Sequence, residues 1–215
     1  MRRMLKTFCN KKLLEAGVDE AGRGPLFGRV YTAAVIIPQD ETFQQKFIKD
    51  SKKLSEKNRE KAFHFIKENA IDWKVFYKDE KYIDLNNIYN ATFDCMHGSL
   101  NNLTVNPDYL LIDGSEFQLW TRDDKIIPHK CVVKGDNLYA SIASASILAK
   151  VSRDNYIKDM CKKYPKLDEY YKLSKNKGYG TREHMEGIKL HGISPWHRKS
   201  FGICGQSKIN KVFLN

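Results

Sequence analysis

The sequence predicts an α/β domain whose C-terminal third is more helical and more basic. Short apolar or β-branched runs alternate with stretches of helical spacing, and glycine, proline and asparagine punctuate the junctions. From Pro165 onward the chain turns basic and helical. At 215 residues it suits one domain, 1–215, with about 165–215 as its helical part. That length buries a hydrophobic core without needing a disulfide or metal staple.

The elements follow in order. Leu13–Asp19 reads as a strand leading into the turn Gly22-Arg23-Gly24-Pro25, and Val30–Ile37 as a second strand stopped by Pro38. Ser55 is placed to cap a helix through Glu56–Asn69, where Ala62, Phe63 and Ile66 recur at helical spacing. Ile71, Trp73, Val75 and Tyr77 alternate with Asp72, Lys74, Phe76 and Lys78, which predicts a strand with one largely polar face. A helix is expected over Ile88–Leu100, then short strands at Tyr109–Ile112 and Cys131–Val133. The long run from Leu138, with its alternating Ala and Ser, predicts a helix that packs closely on a sheet and ends at Pro165. Thr181 and Gly192 are a cap and a stop for a last helix.

Composition narrows the function. Hydrophobic residues make up 41% and charged residues 29%, a globular balance. No apolar run approaches the roughly 20 residues that span a bilayer. The opening MRRMLKTFCNKK lacks the apolar stretch of a secretory signal. Five cysteines, widely spaced and without a CxxC pair, read as reduced thiols, so a cytoplasmic protein is expected. Lys and Arg exceed Asp and Glu by 37 − 26 = 11. Such an excess favours a polyanionic partner, nucleic acid foremost, because neutralising phosphates releases condensed counterions.

A metal-dependent nuclease needs carboxylates converging on one point, since hard cations take oxygen ligands. Three candidates sit at strand ends, where a sheet holds ligands rigidly: Asp19-Glu20, Asp113, and Asp136 ahead of the long helix. Asp136 also has the setting of a helix N-cap. Asp19 and Glu20 are adjacent, so on a regular strand their side chains oppose; a site using both requires the chain to turn there. Asp123 and Asp124 lie in a polar stretch and read as solvated loop residues, and Asp154 reads as support within the long helix.

Gly22-Arg23-Gly24 lacks the spacing of a dinucleotide fingerprint or P-loop. It allows a ligand to approach the backbone, with Arg23 poised for phosphate. Ser51, Lys52 and Lys53 form a hydroxyl-cation group suited to phosphate. Tyr179, between Gly178 and Gly180, is a stacking candidate for a sugar or base. His184 and His191 make no zinc motif, and no GxSxG elbow is present, so zinc and serine hydrolases fall away.

These motifs resemble those of ribonuclease HII. Asp19–Leu26 (DEAGRGPL), Asp50–Ser55 (DSKKLS), Leu111–Gly114 (LIDG), Val133–Asp136 (VKGD), Ala143–Asp154 (ASASILAKVSRD), Gly178–Thr181 (GYGT) and Ser194–Phe201 (SPWHRKSF) stand in family order. The resemblance implies a ribonuclease H-like fold, a mixed sheet flanked by helices with a helical C-terminal extension. It implies cleavage of the RNA strand of RNA–DNA hybrids and incision 5′ to single ribonucleotides in duplex DNA, leaving 3′-hydroxyl and 5′-phosphate ends. Mg²⁺ or Mn²⁺ is the implied cofactor, and Asp19, Glu20, Asp113 and Asp136 the implied catalytic metal ligands. Gly22, Arg23, Gly24 and Tyr179 are implied to read the 2′-hydroxyl and the RNA-to-DNA junction. The 2′-hydroxyl is what distinguishes the two nucleic acids at a site. Phe27 and Arg29 depart from the family pattern, in which a small residue and a proline are usual.

The tail, Gln206–Phe213 (QSKINKVF), resembles a sliding-clamp peptide, with Val212 where an aromatic is normal. Two rival readings share the basic charge: a non-catalytic nucleic-acid-binding protein on the same scaffold, and a DNA-cleaving relative such as a resolvase.

Overall fold

A computed structural model of the chain describes residues 4–40, 43, 45, 48 and 55–214. Their contacts fall into two compact units. One comprises the described residues up to 21, 31–77 and 93–151, and the other 22–30, 78–92 and 152 onward.

The first unit is built on a five-stranded sheet. Its strands are β1 (Glu15–Ala21), β2 (Val30–Ile36), β3 (Asp72–Lys78), β4 (Tyr109–Asp113) and β7 (His129–Val132), in the order β3-β2-β1-β4-β7. β5 (Thr121–Arg122) and β6 (Lys125–Ile126) form a small separate hairpin. β1 runs antiparallel to β2 and parallel to β4, and β4 runs parallel to β7, so the sheet is mixed. Every residue of β2 is buried, which is why its run VYTAAVI carries no polar alternation. Within it the Thr32 hydroxyl donates to the Cys95 carbonyl at 2.7 Å. One core packs Val18, Ile36, Leu110 and Ile112 against Phe93, Met96 and Leu100.

The helices are α1 (Glu56–Asn69), α2 (Glu80–Asn101), α3 (Ala140–Lys163), α4 (Lys166–Tyr171), α5 (Leu173–Asn176) and α6 (Arg182–His191). Ser55 caps α1 by accepting from the Asn58 amide. α3 lies close against β1: a Cβ on Gly17 would stand 2.3 Å from the Ser141 carbonyl carbon. Only glycine on the strand lets the two backbones approach so closely, and the small residues of α3 serve the same contact.

Several expectations shift. The strand expected to end at Asp19 continues to Ala21, with Glu20 paired to Thr32, so the chain does not turn at the two acids. The helix expected over Ile88–Leu100 is present as the second of two runs within α2, starting after a break at Asn87 (φ 61°) whose Oδ1 accepts from the Asn90 amide; the first run, from Glu80, is the part not expected. In β3 the expected faces do not hold. Ile71 and Tyr77 are exposed while Asp72 is buried, because its carboxylate accepts from the Thr104 and Val105 amides at 2.6 and 2.9 Å.

The second unit has its own core, Phe27, Ile157, Leu167, Tyr171, Ile188 and Phe213. Thr181 caps α6 and Gly192 stops it. No helix among the described residues is long and apolar enough to cross a membrane.

Candidate active site

The parallel register sets the first relationship. Gly17 pairs with Leu111 and Val18 with Ile112, so Asp19 and Asp113 come level at the C-terminal ends of adjacent strands. Period-two alternation puts both on the sheet face that carries Gly17 and Leu111. That face is covered by the start of α3, where Ile142 packs with Leu111. Asp19 is buried and its Oδ1 accepts from the Glu20 amide at 2.7 Å. Glu20 lies one residue from the end of β1, and its charge acts on the Asp19 carboxyl without a turn in the chain.

Asp113 is tied to the next acid through the backbone. Its Oδ1 accepts from the Gly135 amide at 2.6 Å, within the 3-10 turn Gly135–Asn137. Asp136 belongs to that turn and is buried. It does not cap α3, which starts at Ala140; its Oδ1 accepts from Asn137 Nδ2 at 2.8 Å. The turn follows Lys134 in the left-handed region (φ 56°), which lets the chain reverse within three residues of β7.

The electrostatics follow. Burial first, then the charges of Glu20 and Asp113, push the Asp19 carboxyl well above its ordinary range. Ser146, one helical turn beyond Ile142 on α3, donates to the Asp19 carboxylate and works the other way. Sequence reasoning treated Ser146 only as a small packing residue; its hydroxyl in the Ala-Ser alternation was the available signal. Among the described residues, no group of three or more acidic, histidine or cysteine side chains is placed so that it could hold a metal ion. The donor chemistry nonetheless fits a hard divalent cation: carboxylate oxygens, one of them held up in pKa by its acidic neighbours. Asp123 and Asp124 are exposed at the tip of the β5–β6 hairpin, where the tight turn puts both at positive φ.

The second unit holds the glycine loop and Tyr179. Two buried arginines grip the loop from inside. Arg198 donates to the carbonyls of Gly22, Arg23 and Gly28 at 2.6, 2.8 and 2.8 Å, and its own amide to Leu26 O at 2.8 Å. Arg153 donates to Phe27 O and Arg29 O at 3.2 and 3.3 Å. Gly22 adopts φ +94°, and a Cβ there would stand 2.3 Å from Arg153 Nε, so both conformation and space require glycine. Gly24 is exposed, and a Cβ on it would lie 3.8 Å from Tyr179 Cε1. The half-exposed Tyr179 ring therefore stands beside the loop, with the Arg153 guanidinium 5.8 Å from its centre.

Beneath Tyr179 lies a pair that the sequence did not reveal. His184 Nδ1 is 2.9 Å from the Tyr179 carbonyl oxygen, and its Nε2 is 3.0 Å from His197 Nε2. A carbonyl only accepts, so Nδ1 carries the His184 proton and its Nε2 accepts from His197 Nε2–H. His197 Nδ1 is then left to accept from the Ser194 amide and hydroxyl, at 3.0 and 2.8 Å. Burial lowers both pKa values, His197 further than His184 because the His184 ring also faces it.

Of the two departures from the family pattern, Phe27 is fully buried with its ring edge-on to His197 at 5.2 Å. Arg29 lies over the Tyr156 ring at 4.5 Å. Ser51, Lys52 and Lys53 fall outside the described residues. In the tail, Ile209 pairs with Ile193 and Phe213 is buried near Tyr171 and Trp196, while Val212 and Leu214 face outward.

Comparison with known proteins gives a consistent answer. The model of the family ribonuclease HII matches residues 16–204. A ribonuclease HII of Bacteroides thetaiotaomicron is 44% identical over 210 residues, covering 98% of this chain and 100% of its own. Among solved structures, ribonuclease H2 of Pyrococcus horikoshii superposes with a TM-score of 0.73 at 25% identity, covering 94% of this chain and 99% of its own. The ribonuclease HII of Archaeoglobus fulgidus, solved in complex with PCNA, does so with a TM-score of 0.70 at 23% identity, covering 89% and 96%.

Proposed function

The chain belongs to the ribonuclease HII family of metal-dependent ribonucleases acting on RNA–DNA hybrids, and from that premise we propose that it also incises duplex DNA 5′ to single embedded ribonucleotides. The products carry 3′-hydroxyl and 5′-phosphate ends. The observation that carries the catalytic part is the level placement of Asp19 and Asp113 on adjacent parallel strands, with Asp113 bonded to the turn that bears Asp136.

In this reading Asp19, Glu20, Asp113 and Asp136 hold Mg²⁺ or Mn²⁺. Two divalent ions, when bound, supply activation of the attacking water and charge compensation at the departing 3′-oxygen. The chain's own groups do the rest. Ser146 holds the Asp19 carboxylate by hydrogen bonding to its charged form. The Gly135 amide fixes the rotamer of Asp113 and so ties the strand-end acid to the Asp136 turn. The Gly22–Gly24 backbone meets the ribose, with Arg23 on phosphate and the Tyr179 ring stacking at the junction. Ser51, Lys52 and Lys53 contact the phosphate backbone, and the excess of 11 positive charges strengthens duplex binding at low salt.

The test is cleavage of an end-labelled DNA duplex carrying one ribonucleotide, beside an all-DNA duplex, with Mg²⁺, Mn²⁺ or EDTA. Metal-dependent cutting on the 5′ side of the ribonucleotide alone is expected. Cutting of both duplexes, or binding without cutting under either metal, overturns the reading.

We also propose a contact with a sliding clamp through Gln206–Phe213, supported by the outward Val212. Phe213 is part of the core, so such a contact must either use only the outward residues or release the segment. Removing residues 207–215 should abolish co-elution with a clamp; retained co-elution ends this part.

A further inference from the structure

Arg198 is completely buried and directs its guanidinium at backbone. Its Nη2, Nη1 and Nε donate to the carbonyls of Gly22, Arg23 and Gly28. The residue is itself fixed. Its amide is bonded to Leu26 O, and the next two amides, of Lys199 and Ser200, donate to the Asp84 carboxylate at 2.9 Å each. A platform held on both sides therefore dictates where the loop carbonyls point.

The consequence lies on the other edge of each peptide. A trans peptide is planar, with its C=O and N–H on opposite sides. Drawing in the carbonyls of Gly22 and Arg23 turns the N–H groups of Arg23 and Gly24 away from Arg198. Both residues are exposed, and the Tyr179 ring stands beside Gly24.

We infer that Arg198 is a positioning residue for ribose recognition: by holding two successive carbonyls inward, it presents the peptide N–H groups of Arg23 and Gly24 as paired donors to the substrate 2′-oxygen. This rests on the proposal that the loop meets the ribose. Arg198 touches no substrate; it sets the angle of the groups that do. A lysine keeps the charge, but it cannot reproduce the fork that reaches three carbonyls at once.

The experiment compares wild type with Arg198→Lys and Arg198→Gln, each melted to establish that it is folded at the assay temperature. Dissociation constants are measured in Ca²⁺ for a duplex with one ribonucleotide and for the same duplex in all-DNA form. The ratio of the two constants does not depend on the folded fraction. Wild type should prefer the ribonucleotide, and the preference should shrink by about tenfold in each variant, as for an ordinary hydrogen bond lost. KM on the ribonucleotide duplex should rise more than kcat falls. Variants that melt lower but keep the wild-type ratio would reduce Arg198 to a structural role and overturn the inference. Absence of any preference in wild type would instead overturn the ribose reading beneath it. Should neither variant fold, the amide resonances of Arg23 and Gly24 in wild type decide. They should shift on titration with the ribonucleotide duplex and not with the all-DNA duplex, and equal shifts with both refute the inference.

Discussion

His197 Nε2–H donates a hydrogen bond to His184 Nε2, and His184 Nδ1–H donates one to the backbone carbonyl of Tyr179. The order Ser194, His197, His184, Tyr179 admits one assignment of protons. A proton added at His184 Nε2 faces the His197 Nε2–H, and one added at His197 Nδ1 faces the Ser194 amide N–H. The residue proposed to read the junction is thus seated on a pair that has to stay neutral.

A pH dependence follows, with its sign. Both folded-state pKa values lie below the ordinary 6.5, so below about pH 6.5 the unfolded chain binds more protons than the folded one. The pair's contribution is complete above that value and declines as pH falls beneath it. Melting temperature should therefore drop between pH 7.5 and 5.5, and the drop should be smaller in His184→Gln/His197→Gln protein. Parallel slopes in the two proteins would show that the pair does not titrate on unfolding.

Asp19 has the opposite sign. Its folded pKa is raised by burial and by Glu20 and Asp113, so its charge works against the metal-free fold at neutral pH. Asp19→Asn should melt higher in EDTA, by about 2–4 °C for each kcal/mol relieved in a domain of this size. It should cleave at least about a hundredfold more slowly. A lower melting point would mean that the hydrogen bonds from Ser146 and the Glu20 amide outweigh the repulsion.

Asp136 and the hairpin acids form a matched comparison. Asp136→Asn should remove cleavage to the same extent as Asp113→Asn. Asp123→Asn and Asp124→Asn should leave kcat/KM within about twofold, as surface changes usually do to stability and function. Turnover surviving in Asp136→Asn would remove it from the metal-binding set.

At Tyr179, ring and hydroxyl separate cleanly. Tyr179→Phe keeps the stacking face and should cost little. Tyr179→Ala should raise KM by roughly 5- to 150-fold, the equivalent of about 1–3 kcal/mol for one aromatic–base stack. Equal losses in both variants would assign the role to the hydroxyl.

Local chemistry was legible in the sequence wherever one segment decides its own structure. Ser55 and Thr181 cap their helices and Gly192 stops the last one, because caps and stops depend on neighbours within four residues. The strand end bearing Asp113 was legible for the same reason, whereas β1 runs two residues past the end expected at Asp19. Pairings between distant segments were not. Asp72 looked solvated until Thr104 and Val105 supplied amides for it, and that inverted the face of β3. His184 was judged by its spacing to His191, seven residues on, whereas its partner is thirteen away across a turn. His191 instead stacks on Tyr170 at 3.9 Å. Arg198 entered only as a letter of a family motif; its three carbonyls lie some 170 residues upstream.

The parallel pairing of β1 with β4 has a consequence for synthesis. More than ninety residues separate Glu20 from Asp113, and the turn holding Asp136 comes later still. Domains emerging from the ribosome fold as units, and long-range strand pairing waits for its partner. A chain still being translated therefore carries its first two acids without the others. With the metal-binding set proposed above, such a chain completes its site only when the Asp136 turn has joined the sheet.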